Sequence, residues 1–484
     1  MDVRRTIGEG VLKRLFPRGV GRTALLLAVY QIAALVICVP LLTSGFHQLI
    51  IPPGGKHLGH DWATAGSGDG REDWAAAKLF VERRSPYTAE GLRSIGLEQS
   101  GFGHPPTTAF WFIPVADLSL IVMAQVVALA ALLVLLVHVR LCVRELGLPS
   151  PLVSTVLIFS AVFSTSWMVE HLHVIQISEF IAFCYVLSWY HLRHDREELG
   201  GAFLGLACTF KLFPGVMVIY LLLARRWRAA IAAVAAYLPI AGIMTWAYGL
   251  DCWRLFFAQQ GAVARTWIGH IRNASVHGIV LRLLTPTCMP RIPPSRFGTS
   301  LASAVAFAVL VLVAALLLRQ RPERRRGDLW FALFSVVSPF VNPWVWEHYR
   351  VLLILPLLII ANRGWLDLRA AWLDWARSPE PTMHVRQMPL SDTLAAVVVA
   401  AALVVVMLCL SDHMWDKVQT VDTYQRGGQD PIVRAWLHRR LHLLEVVNWL
   451  PWPLTIATLL FQAARADHAG LVEPAAPQSV SSST

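Results

Sequence analysis

Apolar residues along this chain come in long unbroken runs, with polar residues gathered between them. Thr23 to Leu42 holds no charged residue, and neither does Thr393 to Leu410. About 20 apolar residues rising 1.5 Å each cross a hydrocarbon layer roughly 30 Å thick. The pattern therefore predicts spanning helices. A membrane barrel is not expected, because it needs alternating segments of about ten residues. Spans are predicted near 22–45, 107–138, 152–168, 173–190, 201–223, 229–249, 299–318, 329–345, 349–362, 393–411 and 445–462. The second is long enough to tilt or break. The expected fold is all-α and multispanning, with about eleven or twelve transmembrane or partly inserted helices. A single membrane domain over 1–462 and a disordered tail over 463–484 complete the map.

Basic residues orient the spans, since Lys and Arg collect on the cytoplasmic side. The stretch 319–328 reads RQRPERRRGD, with five arginines, and should lie inside. The basic N-terminal segment and the cluster Arg225, Arg226 and Arg228 should lie inside as well. A single crossing over 201–223 would then put Arg193 and Arg225 on opposite sides. Lys211 and Pro214, in the middle of that stretch, remove the conflict. A lysine is costly in lipid and proline breaks helical bonding, so two short segments at about 200–210 and 214–224 should dip in and return. Both basic groups are then cytoplasmic. The outer face receives 46–106, 250–298 and 412–444, with the turns at 169–172 and 346–348. Within the first, Asp73 to Arg83 reads as a short amphipathic surface helix that Ser85-Pro86 ends.

Composition agrees. The chain is 56% hydrophobic and 15% charged, against roughly 25% charge in soluble domains. Its formal net charge of +11 comes from residues at the ends of apolar runs, so topology and contact with anionic lipids explain it without nucleic acid. The basic N-terminus before an apolar run also resembles a secretory signal. The run is long enough to span and no clear cleavage site follows, so a retained first helix is expected. Among seven cysteines, Cys252 and Cys288 share one outer segment and would allow a disulfide. No Cys/His cluster suggests a metal, and His171 and His173 point apart on a helix.

Several polar residues stand out against this background. Asp73 in the outer loop has a carboxylate suited to deprotonating a hydroxyl, with Glu72 beside it as the rival. Asp69 and Asp61 are weaker rivals in a glycine-rich stretch. Lys211 is an intramembrane cation for which a lipid phosphate is one natural partner, the alternative being a lysine that snorkels to an interface. Glu347, His348 and Arg350 crowd an outer turn with Trp344 and Trp346, a set that suits either interface anchoring or a phosphate or sugar. Glu170, His171, His173 and Gln176 form a second polar turn, read as capping a helix pair. Arg265, His270, Arg272 and Asn273 lie in the 250–298 segment, and Asn273-Ala274-Ser275 matches a glycosylation sequon.

Taken in order, these residues resemble the polyprenyl-phosphate-mannose-dependent alpha-(1,2)-mannosyltransferases of actinobacteria, glycosyltransferase family 87. The resemblance runs over roughly residues 20–362. It rests on Asp73, Ala75 to Ala77, Ser85-Pro86-Tyr87, Pro105-Pro106, Lys211 to Pro214, Arg225 to Arg228, Asn273 and Ser275, Arg282-Leu283, Ser338-Pro339 and Trp346-Glu347-His348. The chain departs from the pattern at four places, one of them a longer spacing from Ser338-Pro339 to Trp346-Glu347. His104 stands where an aromatic is common. A Gly-Gln-x-Asn element is reduced to Ile175, Gln176 and Ser178. The second histidine of a His pair is Tyr349.

The resemblance implies a GT-C fold in the plasma membrane, with the active face periplasmic or extracellular. It implies transfer of a sugar, mannose in the family, from a polyprenyl-phosphate donor to an envelope glycolipid or polysaccharide acceptor, with inversion. Asp73 would be the base. Lys211, His348, Arg350, Glu347 and Gln176 would meet the donor's phosphate or sugar. Glu72, His104, Arg265, Arg272 and Asn273 would be acceptor or loop contacts. No cofactor or metal is expected. Two other classes stay open on the residues alone: a secondary transporter, which suits the break at Lys211, and a lipid-carrier flippase or polymerase.

Overall fold

The computed structural model describes residues 22–50, 69–94, 102–285, 292–321, 323, 326–377 and 449–468. These residues are helical, without strand. Four helices are long and apolar enough to cross a membrane: α1 (Arg22–Ile50), α4 (Leu120–Glu145), α10 (Trp227–Tyr248) and α13 (Arg296–Arg319). A fifth span follows if α5 (Pro151–Phe163) and α6 (Ser166–His173), bent by 73°, count as one. On α1, Val36 and Val39 are exposed; on α4, Leu129 and Leu133; on α13, Phe307 and Leu312. Such faces would be a liability in water and are ordinary against lipid chains.

Further helices fill the space between them. They are α7 (Ser178–Arg193), α8 (Glu197–Phe210), α9 (Gly215–Leu223), α14 (Asp328–Phe340), α15 (Ile354–Arg377) and α16 (Pro451–His468). On the loops lie α2 (Asp69–Val81), α3 (Ala89–Ser94), α11 (Asp251–Trp267) and α12 (Val276–Leu284). Two 3-10 segments, Pro106–Val115 and Glu347–Leu353, complete the set. The predicted spans at 393–411 and the outer piece 412–444 lie outside the described residues.

The break at Lys211 forms as the charge pattern predicts. Helix α8 stops at Phe210, Lys211 is extended, and α9 begins behind Pro214. The chain then returns to where it started. Arg226 Nη1 at the end of α9 donates to Leu192 O at the end of α7, at 3.1 Å. Arg193 pairs with Asp328 at 2.7 Å, and Arg326 donates to Arg225 O at 3.3 Å. Arg193, Arg225 and the 326–328 turn thus gather at one end of the molecule.

Three expectations need correction. The second span begins at Leu120, well after 107. Pro105, Pro106 and Pro114 hold the first part as a 3-10 segment, and Ser119 caps α4 by accepting from Val122 N. The 329–345 run ends as helix at Phe340, where Pro339 and Pro343 interrupt backbone bonding. The disordered tail expected from 463 does not begin there: α16 runs to His468, with Trp452 and Leu459 fully buried and Gln462 Nε2 donating to Ile360 O. Cys252 is a buried free thiol, and Cys288 lies outside the described residues.

Close packing of α8 on α10 sets the position of the break. A Cβ on Gly201 would lie 1.9 Å from Ala229 O, and one on Gly205 would lie 2.1 Å from Ala233 O. Small residues four apart let the two backbones touch, the usual means of joining helices in lipid. Gly205→Leu should therefore lose folded, monodisperse protein, since overpacking a tight contact costs about 1–3 kcal/mol or more. Gly242→Ala on α10, where a Cβ meets nothing within 4 Å, should not. Thermal unfolding of the two detergent-purified variants compares them directly.

Candidate active site

Helix α2 carries Asp73 into the interior, not onto a membrane surface. Gly70, Asp73, Ala75, Ala76, Ala77 and Leu79 are all buried, and Tyr248 Oη donates to Ala76 O at 2.7 Å. The amphipathic reading of 73–83 is thus corrected: the three alanines let the helix sink between neighbours, and its start lies at Asp69. Gly70 makes the docking possible. Its N–H donates to Val174 O, and a Cβ there would stand 2.3 Å from Ile175 Cβ. Opposite it, α6 ends with Ile175 at φ +55 and Gln176 N donating back to His171 O. This is a glycine-type helix ending made with a β-branched residue, which stores strain of about 1–3 kcal/mol.

The contact brings four polar side chains together. Asp73 Oδ1 and His104 Nδ1 are 2.6 Å apart. His104 Nε2 lies 3.8 Å from Asp69 Oδ2, and Gln176 Nε2 donates to that same Asp69 oxygen. The second oxygen of Asp73, Oδ2, is buried without a partner. Burial raises the Asp73 pKa above the ordinary carboxylate value, and the facing His104 pulls it part of the way back. For His104, burial is the largest influence and works downward, but the charge and hydrogen bond of Asp73 together with the charge of Asp69 make the net shift upward. The charge of Lys211 acts on both.

His104 is oriented by its own segment. Tyr87 of the Ser-Pro-Tyr turn donates to His104 O at 2.6 Å and packs on Phe102. Beyond Pro105-Pro106, Thr108 Oγ1 donates to Phe210 O at 2.7 Å, and Trp111 stacks on Phe210 and donates to Thr209. The segment that carries His104 is thereby clamped to the end of α8, next to Lys211. On the other side, Ser338 Oγ donates to Phe213 O and meets Tyr185 Oη, bracing the break. Lys211 itself is 7% exposed, and its Nζ donates to Tyr349 Oη at 2.7 Å.

The remaining predicted residues divide. His348 and Arg350 are buried on the second 3-10 segment with Tyr349. Glu347 accepts from Arg272 Nε at 2.9 Å, and Arg272 also pairs with Glu170. Glu347 and Arg272 therefore form a brace between segments. Asn273 is engaged likewise. Its amide donates to Ile268 O and Pro343 O, and its oxygen accepts from Ser275 N and Val345 N. At 4% exposure it is not a sequon open to glycosylation. Arg265 is exposed on the last turn of α11, apart from the cluster, and Glu72 is half-buried beside Asp73. His171 is fully buried and His173 is half-buried.

Sequence reading missed the His104–Asp73 pair, the place of Asp69 and the role of Tyr349. The last had a visible signal, since Tyr349 replaces a family histidine next to His348. Asp69 had none, because a glycine-rich stretch gives no hint of where its helix begins.

A profile of glycosyltransferase family 87 matches residues 102–343. The match contains His104, Gln176 and Lys211, while Asp73 and the 347–350 segment flank it. A polyprenol-phosphate-mannose-dependent alpha-(1-2)-phosphatidylinositol pentamannoside mannosyltransferase of Mycolicibacterium smegmatis is 26% identical over 58% of this chain and 70% of its own length. The protein of the same name from Mycobacterium tuberculosis is 26% identical over 38% of this chain and 43% of its own. Among solved structures, ArnT from Cupriavidus metallidurans bound to undecaprenyl phosphate aligns with 93% of this chain and 79% of its own, at 14% identity. Its TM-score of 0.29 is too low to transfer any position.

Proposed function

Since this chain belongs to glycosyltransferase family 87, we propose that it moves mannose from a polyprenyl-phosphate donor to an envelope glycolipid. Transfer takes place at the outer face of the plasma membrane. The observation that carries this reading is the state of Asp73: one oxygen fixed by His104, the other buried and unpartnered, with Lys211 acting across the same space. Asp73 Oδ2 takes the proton of the acceptor hydroxyl as the hydroxyl oxygen attacks the anomeric carbon. The bond from that carbon to the phosphate oxygen breaks, and polyprenyl phosphate departs with the electron pair. Lys211, held by Tyr349, offsets the charge that grows on the leaving phosphate. A single displacement inverts the anomeric centre. The residues named here suffice for these steps, so no metal or cofactor is invoked.

An apolar cavity of about 790 Å³ adjoins the break through Leu212 and is lined by Tyr237, Leu238, Trp246, Trp253 and Phe257. It suits the first isoprene units of the donor. The names of the mycobacterial relatives support a phosphatidylinositol mannoside as acceptor class. The test is to incubate purified protein with polyprenyl-phosphate-mannose and such glycolipids, without a gradient, and to weigh the products. A gain of one hexose on the glycolipid supports the reading; movement of donor across sealed vesicles without any new product favours a flippase.

The Asp73–His104 pair also sets a pH dependence. The base must be ionised, so activity falls as pH drops through the Asp73 pKa, which lies above the ordinary carboxylate value. His104 lowers that pKa. Removing it in His104→Asn should therefore move the acid limb of kcat/KM to higher pH and reduce its plateau. An unmoved limb would separate His104 from the base.

A further inference from the structure

His171 takes no part in the chemistry above, yet it is among the most enclosed polar residues of the protein. It is 0% exposed on the last turn of α6, and neither of its ring nitrogens has a hydrogen-bond partner. His348 is 5% exposed, and its Nε2 also has none. The two ring centroids are 6.4 Å apart with their planes at 60°. Buried polar atoms are nearly always satisfied, so three unpartnered nitrogens on one pair of rings mark a place where something polar belongs.

The surroundings say what kind of group. The Arg272 brace ties Glu170, next to His171, to Glu347, next to His348, and so fixes the spacing of the two rings. The His348 ring lies 4.9 Å from the ring of Tyr349, whose hydroxyl holds Lys211. The histidine pair therefore stands one group away from the cation that receives the phosphate. An imidazole offers a donor at one nitrogen and an acceptor at the other, which matches the two-way bonding of a hydroxyl.

We propose that His171 and His348 bind hydroxyls of the sugar on the lipid donor, with His171 discriminating sugar-bearing polyprenyl phosphate from the bare phosphate. The assignment rests on the donor reading given above and adds a specificity-determining residue to it. Lys211 and Tyr349 serve the phosphate that both lipids share, while the histidine pair serves only what the sugar adds.

Binding of two probes to the purified full-length protein tests this: polyprenyl-phosphate-mannose and undecaprenyl phosphate without sugar. In His171→Phe, affinity for the mannosylated lipid should fall about tenfold, the scale of one or two lost hydrogen bonds, with bare-phosphate binding changed less than about twofold. His171→Gln, which keeps a donor and an acceptor, should recover part of the preference. Both His171→Gln and His171→Ala are smaller than the native side chain, so the same ratio is read on them if the phenylalanine variant does not fold. Equal weakening of both lipids, or an unchanged ratio in folded variants, would overturn the assignment. A wild-type protein that shows no preference and transfers no sugar would overturn the donor reading itself. Wild-type preference kept by every variant removes only the histidines.

Discussion

Asp73→Asn should lower sugar transfer by roughly 100-fold or more, the scale of lost general-base help, while leaving donor binding close to wild type. The substitution nearly preserves shape. It can still accept from His104 Nδ1 through its amide oxygen, so the local fold should hold, but it cannot take a proton from the acceptor. Glu72→Gln is the control. Glu72 follows the helix about 100° away from Asp73 and is half-buried, whereas Asp73 is fully enclosed. Asp69→Asn is the more searching comparison, because Asp69 shares His104 and Gln176 with the site. It should cost less than Asp73→Asn, since its side chain is 38% exposed and its role is to hold its neighbours. Transfer assays on the three purified variants, alongside donor binding, rank them. Full turnover in Asp73→Asn with loss in Asp69→Asn would move the base by one helical turn.

The second large effect is expected at Lys211. Lys211→Ala removes a buried cation from the place where phosphate charge develops, and losses of about 10²–10³ in turnover accompany the removal of such a group. Lys211→Arg should not restore activity, because a planar fork cannot take the place of a compact ammonium between Tyr349 and the phosphate. Tyr349→Phe removes only the hydroxyl that positions Lys211 and should cost about tenfold, in keeping with one charge-assisted hydrogen bond. Steady-state kinetics in the lipid donor separate these outcomes. Wild-type kcat and KM in Lys211→Ala would end the phosphate role.

Much of the membrane architecture was legible because lipid leaves few choices. A lysine and a proline inside an apolar run, with arginines at both its ends, admit little besides a break and a return, and the Arg226–Leu192 and Arg326–Arg225 contacts show that return. The second span was misplaced because Thr107 to Val115 is as apolar as a membrane helix, while three prolines and the Ser119 cap decide where regular helix begins. The candidate base was legible from its family resemblance, but its environment was not. Helix α2 looked amphipathic in isolation. Its polar Asp73 face meets His104, thirty-one residues along the chain, and its N-terminus meets a strained Ile175 that no local pattern announces. Asn273 and Arg272 are the opposite case. Polar residues in an outer segment read as available for substrate, yet here they satisfy buried backbone and carboxylate groups.

The anomeric configuration of the product tests the mechanism most directly. One carboxylate base beside one phosphate-facing cation supports a single displacement, so the transferred sugar should carry the configuration opposite to that in the lipid donor. Proton and carbon NMR of the purified glycolipid product reads this from the anomeric one-bond coupling. Inversion is the result expected from Asp73 acting as a base. Retention would require a covalent sugar–enzyme intermediate and a second displacement, and it would contradict the role assigned to Asp73.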